Sequence, residues 1–388
     1  MHPVFTGEDP PDSFTKSLFL AGPTPRSADV QSWRPEAIRF LEQAGFDGVV
    51  FVPENRDGGL KPSYDSQAGW EHRMLDMADY ILFWVPRDLE MMPAFTTNIE
   101  FGWWMDSGKV IFGAPSNSPK NDYLRYCARK FMIPQAETLL ATIDEAIKFV
   151  GSGAERRGGE RFVPFYIWQT PSFQSWYQAL KQAGNRLEWA RLEWVKRVGP
   201  RRQFVYAWAL HAHIFVSAEG RYKTNETVIS RPNISSVLLY RRMPEIMKSL
   251  VVLVQEFRSS GATPDGFIHE LPSGSSSNLE LSPSEIASEE VYEETGLWIN
   301  SSRLAPHSSR QLAGTFSAHK ASLFSAELTY EELDFLAGQA GVAHGANLAD
   351  LTGERTYVEI KTLEEILRKN LVDWSVLGMI LSILNTPA

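Results

Sequence analysis

The chain has 388 residues, of which 43% are hydrophobic and 22% are charged, and its formal net charge is −9. A chain of this length is expected to form two domains, and the composition is that of an ordinary folded protein. The negative charge excludes a broad basic surface for nucleic acid, although a nucleotide could still bind at one site. The single cysteine, Cys127, excludes an internal disulfide and a cysteine-based zinc site and fits a reducing compartment.

Neither a secretion signal nor a membrane segment is predicted. Residues 1–17 contain acids and prolines in place of the basic start and long apolar stretch of a signal peptide. The longest apolar runs, such as residues 251–254 with their neighbours, are far too short to span a bilayer. We therefore expect a cytoplasmic protein with a small-molecule nucleotide substrate and with neither a nucleic acid nor a membrane as partner.

Strand and helix patterns alternate through the first 150 residues. Short apolar runs predict buried strands, and apolar residues at helical spacing predict helices. The predicted strands are residues 18–21, 49–52, 80–85 and 110–112, and the predicted helices are residues 33–44, 70–78, 97–107 and 136–150. This alternation predicts an α/β fold with a doubly wound parallel sheet, whose ligands bind at the carboxyl ends of the strands.

The second half of the chain has a different pattern. Residues 151–160 are glycine-rich and charged and are interpreted as a linker between a domain at 1–150 and a domain at 161–388. Two predicted helices, 172–183 and 187–197, make residues 161–203 a helical extension. Strand-like runs follow at 204–210, 213–217, 237–240 and 250–255, with helices at 284–295 and 372–384. The second domain is therefore predicted to be α+β.

Glutamates are concentrated in the sequence EIASEEVYEETG at residues 285–296. Glu290, Glu293 and Glu294 are three and four residues apart, which places them on one face of a helix. Their mutual repulsion costs stability unless a cation neutralises it, and Mg²⁺ or Mn²⁺ prefers such oxygen ligands. Ions of this kind bridge diphosphates and activate water. Taken alone, a solvated acidic helix is the commoner explanation.

This segment resembles the signature of the Nudix family, especially of its ADP-ribose pyrophosphatase-like branch. The match is carried by residues 289–297, which read Glu-Glu-Val-Tyr-Glu-Glu-Thr-Gly-Leu, and the resemblance extends over roughly residues 204–388. It implies that Glu290 and Glu294 are the main metal ligands and that Glu293 is a further ligand or a base.

The Nudix resemblance also implies roles for residues outside the acidic helix. Glu354 is a candidate late-loop base, and an exposed loop acid is the alternative. Arg258 and Glu270 are candidate substrate contacts, and a structural salt bridge between them is the alternative.

Three positions depart from the Nudix signature. The first signature glutamate falls on Leu281, the arginine on Glu289, and the glycine on Ser275, with Gly274 just before it. In the family, that arginine helps to orient the metal-binding carboxylates, so an acid there could weaken turnover. A shifted alignment would let Glu280 substitute for the first glutamate.

Glu100 is the candidate catalytic residue of the N-terminal half. It is expected near the start of a helix among aromatic residues, where a carboxylate is costly unless it is paired or functional. Thr96, Thr97 and Asn98 precede it, and a helix start offers backbone donors and a favourable dipole to an anion. These three residues are therefore candidates for holding phosphate or sugar hydroxyls, and helix capping is the alternative.

Residues 17–127 resemble nucleoside 2-deoxyribosyltransferase-like proteins. The matching pieces are Leu20-Ala21-Gly22-Pro23, Trp33-Arg34, Val52-Pro53-Glu54, Trp70-Glu71, Ala78-Asp79, Phe83-Trp84-Val85-Pro86-Arg87 and Thr96-Thr97-Asn98-Ile99-Glu100-Phe101-Gly102. The resemblance implies that Glu100 attacks the anomeric carbon to form a glycosyl-enzyme ester, which water or a second base resolves. It also implies that Asp79 contacts the departing base, that Gly22 allows close approach of a ligand, and that the protein forms a homo-oligomer.

Two positions depart from this second family. The aspartate usually found shortly before the nucleophile is absent, with Ala94 near its place, and the first-strand tyrosine is Phe19. Asp88 is a candidate substitute for the missing aspartate.

Together these patterns predict a bifunctional nucleotide-metabolising enzyme. The N-terminal domain would break or exchange an N-glycosidic bond, and the Nudix domain would hydrolyse a nucleoside diphosphate derivative such as ADP-ribose with Mg²⁺ or Mn²⁺. The pairing suits NAD-derived metabolites, because removal of a base from NAD leaves an ADP-ribose-like diphosphate. The alternative is a nucleotide-sensing binding module with an inactive Nudix domain, which Leu281, Glu289 and Ala94 favour.

Overall fold

The computed structural model describes residues 1–27, 29–56, 63–199, 202, 204–276, 278, 280–345 and 353–385, with the backbone alone at Tyr64. The chain divides into two compact units, Met1–Ser230 and Arg231–Ala388. Among the helices of the described ranges, none combines the length and the apolar character that a membrane span needs.

The first unit begins with an α/β domain. Its strands are β1 (His2–Phe5), β2 (Ser13–Phe14), β3 (Ser17–Ala21), β4 (Val49–Val52), β5 (Tyr80–Trp84), β6 (Val110–Gly113) and β7 (Gln135–Ala136). Its helices are α1 (Arg34–Gln43), α2 (Tyr64–Met77), α3 (Phe95–Trp104), α4 (Asp122–Lys130) and α5 (Leu139–Val150). The main sheet has the order β1-β4-β3-β5-β6-β7, and its pairings are parallel.

Both faces of this sheet are buried. Successive residues of β3 belong alternately to two hydrophobic cores, with Phe19 in the core that includes Phe101 of α3, and Leu18 and Leu20 in the core that includes Leu41 of α1. Strands of a doubly wound sheet are expected to be apolar on both faces for this reason. The predicted parallel α/β sheet is confirmed.

The segment after residue 150 continues the first unit. Its elements are β8 (Arg156–Arg157), α6 (Phe165–Trp168), α7 (Pro171–Gln182), β9 (Arg186–Val198), β10 (Phe204–Val216) and β11 (Arg221–Ser230). The long strands form an antiparallel sheet in the order β11-β10-β9, and α7 packs on it through Phe173, which contacts the ring of the fully buried Trp208.

Two sequence predictions for this segment differ from the structure. Residues 187–197 were predicted to be a helix and form strand β9, so the helical extension at 161–203 is only partly helical. The pairing of β9 with β10 shifts register at three places, which breaks the strict alternation that identifies a strand in sequence. Residues 151–160, interpreted as a linker, include β8, which pairs with β2. The division between the units follows Ser230.

The second unit is built on a mixed sheet. Its strands are β12 (Ile234–Arg241), β13 (Leu250–Phe257), β14 (Phe267–Glu270), β15 (Ser273–Gly274), β16 (Ala305–Gln311), β17 (Lys320–Glu327), β18 (Ala343–His344) and β19 (Thr356–Thr362). Its helices are α8 (Pro283–Thr295), α9 (Tyr330–Gly338), α10 (Leu363–Lys369) and α11 (Trp374–Leu384). The sheet has the order β16-β17-β12-β13-β19-β18, with β14 beside β13 and β15 beside β12.

Helices cover both faces of this second sheet. One core contains residues of α8 and α9, including Val291 and Leu336, and the other contains residues of α10 and α11, including Ile366 and Ile380. Helix α8 begins at a capping box formed by Ser282 and Glu285, as a Ser followed three residues later by Glu favours. The predicted helices at 284–295 and 372–384 are confirmed within two residues at each end.

Candidate active site

A cavity of about 510 Å³ opens in the first unit at the carboxyl ends of β3 and β4. Its walls come from the loop after β3, from one face of α2 and from the first turns of α3. The lining side chains that carry polar chemistry are Thr24, Arg26, Arg34, Gln67, Glu71, His72, Thr96, Thr97 and Glu100. A cavity of this size and position is where a doubly wound α/β fold binds its ligand.

Two carboxylates line this cavity. Glu100 projects from α3 and is half-buried, and burial together with the charge of Glu71 raises its pKa to about 7. The pKa of Glu71, on α2, is also raised by burial, and its carboxylate accepts a hydrogen bond of 2.9 Å from the Gln67 side chain. Paired carboxylates with raised pKa values are typical of sites for acid, base and nucleophilic chemistry.

The backbone before α3 is strained. Ala94 lies in the left-handed region, with φ of 60°, and is the N-cap residue of α3 without a side-chain capping bond. A non-glycine residue there costs roughly 1–2 kcal/mol, and such strain is concentrated at functional sites. The strained residue lines the cavity and sets the entry of the helix that carries Glu100.

The first turn of α3 brings two of the three predicted binding residues to the cavity. Thr96 and Thr97 line it, and their amides lie in the first helical turn, where backbone N–H groups lack an acceptor within the helix. The side chain of Asn98 has another role: its Oδ1 accepts a hydrogen bond of 2.6 Å from Arg87. This bond gives Asn98 a structural role, and Asn98 is not among the described residues that line the cavity, so its predicted ligand contact stays a prediction.

Gly22 lies in the cavity wall, but packing explains why it must be glycine. Its φ is +152°, and a Cβ atom there would lie 2.2 Å from the backbone oxygen of Trp84 and 2.8 Å from the ring of Trp33. The carbonyl of Gly22 accepts a hydrogen bond of 2.7 Å from the buried Arg34, which also pairs with Glu54 at 2.6 Å. The Arg34–Glu54 pair therefore fixes the loop after β3.

Asp79 does not reach the cavity, contrary to the predicted contact with a base. Its side chain is fully buried and accepts two hydrogen bonds of 2.6 Å from Arg156, itself fully buried. The backbone N–H of Ser17 donates a third, of 2.8 Å. A buried carboxylate paired in this way is structural, because both charges depend on each other for compensation.

Asp88 caps a turn. Its Oδ1 accepts hydrogen bonds from the backbone N–H groups of Glu90 and Met91, and it is not among the cavity-lining residues of the described chain. It therefore does not substitute for the missing family aspartate.

Six polar lining residues had no site role assigned from sequence: Thr24, Arg26, Arg34, Gln67, Glu71 and His72. The pair Trp70-Glu71 was part of the family resemblance, which was a usable signal for Glu71. Arg26 lies in an irregular loop, where sequence periodicity gives no information. Its guanidinium is exposed, lies 5.7 Å from the Phe95 ring centroid, and forms no ion pair with the described residues.

An acidic cluster in the second unit surrounds α8. Burial and the charges of Glu293 and Glu354 raise the pKa of Glu290 to about 7, and burial raises the pKa of Glu294 well above its ordinary value. Glu294 accepts a hydrogen bond of 3.0 Å from the backbone N–H of Ser273. The predicted metal-binding acids and the loop residue Glu354 therefore lie in one cluster of acidic side chains.

Arg258 binds several acids of this cluster. It forms ion pairs with Glu256 at 2.9 Å, with Glu270 at 3.3 Å and with Glu354 at 3.1 Å. The salt-bridge alternative for Arg258 and Glu270 is thus observed. Glu256 was missed from sequence because it lies in the apolar strand β13; its pKa is raised to about 7 by burial.

The positions that depart from the Nudix signature lie beside this cluster. A Cβ atom at Gly274 would lie 2.2 Å from a carboxylate oxygen of Glu290, so Gly274 lies directly against the Glu290 carboxylate. Ser275 accepts a 3.4 Å hydrogen bond from Arg231, and Glu289 is exposed. Among the residues that the structure describes, no group of three or more His, Cys, Asp or Glu side chains is arranged to hold a metal ion.

The fold and cavity of the first unit define an α/β domain with a carboxylate-bearing site at the strand ends. The family model described as "Nucleoside 2-deoxyribosyltransferase like" matches residues 15–118, so this part of the chain is a nucleoside 2-deoxyribosyltransferase-like domain. The match suggests an enzyme of nucleoside or nucleotide metabolism. A search of curated proteins gives no match. The family match ends before the second unit, for which the Nudix resemblance stays a prediction.

Proposed function

We propose that the first unit breaks the N-glycosidic bond of a nucleotide or nucleoside with Glu100 as the nucleophile. The observation that carries this proposal is the pair of carboxylates, Glu71 and Glu100, in a cavity at the strand ends of a domain that matches the deoxyribosyltransferase-like family. Burial and the charge of Glu71 raise the pKa of Glu100 to about 7, so Glu100 is partly ionised near neutral pH, and burial raises the pKa of Glu71.

In the proposed reaction, the ionised Glu100 carboxylate attacks the anomeric carbon. The bond from that carbon to the base nitrogen breaks and its electron pair leaves with the base, which takes a proton from water where its nitrogen needs one. Water then attacks the anomeric carbon of the glycosyl ester and transfers its proton to Glu71, which releases the sugar and restores Glu100. A second base in place of water gives exchange.

The cavity offers groups that suit a phosphorylated sugar. The amides of the first turn of α3 and the hydroxyls of Thr96 and Thr97 can hold sugar hydroxyls or an anion. Arg26 adds an exposed positive charge that is not taken up by an acid of the described chain. We therefore infer that a nucleotide is preferred over a nucleoside.

The test of this proposal is chromatographic detection of free base after incubation with a panel of nucleosides and nucleotides, including NAD. We expect base release by the wild type and its loss in Glu100→Gln, with normal activity in the control Glu42→Gln, which changes an exposed residue of α1. Release that survives Glu100→Gln would exclude this residue as the nucleophile. Binding of a nucleotide without release of its base would favour the alternative of a nucleotide-sensing binding module.

A second candidate function is metal-dependent hydrolysis of a nucleoside diphosphate derivative by the second unit. It is favoured by the acidic cluster, in which burial and mutual repulsion raise the pKa values of Glu290, Glu293 and Glu294. Carboxylate oxygens are the donors that Mg²⁺ or Mn²⁺ prefers, so this candidate rests on donor type and not on a metal-binding arrangement, which the described residues do not form. Glu290 and Glu294 would hold the ion with Glu293 as a further ligand or base, and the bound ion would supply charge neutralisation and water activation.

The two proposed activities can act in sequence. Removal of a base from NAD by the first site would leave an ADP-ribose-like diphosphate, which the second site would split into AMP and a sugar phosphate. Mass spectrometry after incubation with NAD tests this sequence. The wild type is expected to form the ADP-ribose-like diphosphate and then AMP and a sugar phosphate. The Glu294→Gln variant is expected to stop at the ADP-ribose-like diphosphate.

A further inference from the structure

A second cavity of about 620 Å³ lies in the first unit, against strand β9. Its walls are the later turns of α2 and α3, the residues that follow α3, and residues 190–195 of β9. The volume is in the range of sites that bind small molecules, roughly 300–1,000 Å³. Strand β9 lies outside the segment that matches the family, so this wall is a feature of the present chain.

The walls of this cavity are rich in aromatic rings. Trp103 and Trp104 come from α3, and Trp194 comes from the opposite side, on β9. Trp103 is 63% exposed and Trp194 is 46% exposed, so part of each indole ring is accessible to a ligand. Flat indole surfaces of this kind stack on heterocyclic bases.

A carboxylate with no hydrogen-bond donor stands in the same cavity. Asp76 of α2 lines it and is half-buried, and no residue of the described chain donates a hydrogen bond to its side chain. The neighbouring ammonium group of Lys109 is committed to the backbone oxygens of Leu75 and Asp76, at 3.2 and 2.7 Å. The nearby Arg191 pairs with Glu193 at 2.8 Å. Both carboxylate oxygens of Asp76 are therefore available to a ligand.

We propose that this cavity is a second binding site, for a guanine-type base that stacks on Trp194 and donates two adjacent N–H groups to Asp76. A carboxylate accepts two parallel donors side by side, and the N1–H and 2-amino groups of guanine form such a pair. Adenine and cytosine present a donor beside an acceptor on the same edge and leave one carboxylate oxygen unpaired.

The second cavity adjoins the first. His72 and Trp103 line both, and their ring centroids lie 5.2 Å apart in an edge-to-face contact. These two rings therefore form a wall that the two cavities share. The site is defined by binding alone and does not depend on turnover at Glu100.

The test is calorimetric titration of the full chain with guanosine, inosine and adenosine, in a Glu100→Gln background that removes turnover. Inosine lacks only the 2-amino group. We expect guanosine to bind at least tenfold more tightly than inosine or adenosine. Asp76→Asn and Trp194→Ala should each weaken guanosine binding at least tenfold. The matched controls Asp144→Asn and Tyr222→Ala, at exposed positions that do not line the cavity, should leave it unchanged.

The outcomes separate this site from the reaction site. Guanosine binding that is unaffected by both Asp76→Asn and Trp194→Ala would place the base in the first cavity and overturn the proposal. Equal affinity for the three nucleosides, or no binding of guanosine, would also overturn it. If Asp76→Asn lowers the melting temperature, the Trp194→Ala result decides, because that side chain is already half-exposed. Failure to release a base from any substrate would not change these outcomes.

Discussion

The charge of Glu71 on α2 raises the pKa of Glu100 on α3 across the cavity that both residues line. Burial contributes more than Glu71, and the nearby Arg34 acts in the opposite direction. The nucleophile of the proposed reaction is therefore only partly ionised at neutral pH.

The rate of base release is expected to rise with pH through about 7. The reason is that only the ionised Glu100 can attack, and its pKa in the folded protein is about 7. In Glu71→Gln the negative neighbour is lost, so this limb should move to lower pH, while the maximal rate falls because the base that takes the proton from water is gone. The check is kcat/KM measured from pH 5 to 9. If kcat/KM rises over the same pH range in Glu71→Gln as in the wild type, the charge of Glu71 does not raise the pKa of Glu100.

Glu100→Gln is expected to stabilise the fold at high pH. The pKa of Glu100 is raised from 4.5 to about 7, so its ionisation opposes folding increasingly as pH rises from about 4.5 to 7 and fully above that range. The gain in unfolding free energy at pH 8 should be about 1–3 kcal/mol, with little gain at pH 4. Urea unfolding at both pH values measures it. The exposed control Glu42→Gln should change stability at neither pH.

Arg26→Ala is expected to weaken binding of nucleotides and not of nucleosides. Loss of an unpaired guanidinium at the cavity should raise KM for a nucleoside monophosphate roughly tenfold, which corresponds to about 1.4 kcal/mol. Steady-state kinetics with a matched nucleoside and its 5′-monophosphate test this. Arg39→Ala, on the exposed face of α1, is the control. Equal effects on both substrates would show that Arg26 does not bind the phosphate.

Asp79→Asn is expected to destabilise the first unit by about 3–5 kcal/mol, since it leaves the buried Arg156 without a counter-charge. Glu145→Gln removes an exposed pair with Lys148 and should cost less than about 1 kcal/mol. Thermal unfolding compares the two variants. A stable Asp79→Asn protein with altered base preference would instead restore the substrate-binding role that the sequence suggested.

Mg²⁺ is expected to stabilise the second unit, because a cation would relieve the repulsion among Glu290, Glu293 and Glu294. The melting temperature of the full chain should rise with millimolar Mg²⁺ and fall back with a chelator. Glu290→Gln should remove the response, whereas Glu364→Gln, at an exposed position of α10, should keep it. An unchanged melting temperature in the wild type would argue against a metal site.

Local patterns predicted the parallel sheet and the place of Glu100, because both depend on nearby residues. Strands β3, β4 and β5 are almost entirely apolar and are buried on both faces, and a glutamate at a helix start after such a strand lies at the strand ends. The acids of α8 were predictable for the same reason, since helical spacing alone puts them on one face.

Long-range pairing was not predictable in this way. The role of Asp79 depends on Arg156, which is 77 residues away in a segment that resembled a linker. Strand β9 contains bulges that remove its alternating pattern, so its apolar residues also fit a helix. The second cavity exists because β9 packs near α2 and α3, a contact that no local pattern encodes.

The most direct test of the account is to trap the glycosyl-enzyme ester. The full chain is incubated with the nucleotide that gives the fastest base release, quenched in acid, digested and examined by peptide mass spectrometry. We predict that the peptide containing Glu100 gains the mass of the glycosyl group in Glu71→Gln, because hydrolysis of the ester is slowed in that variant. The Glu100→Gln variant should form no adduct. Base release at an unchanged rate by Glu100→Gln, or an adduct on another residue, would contradict it.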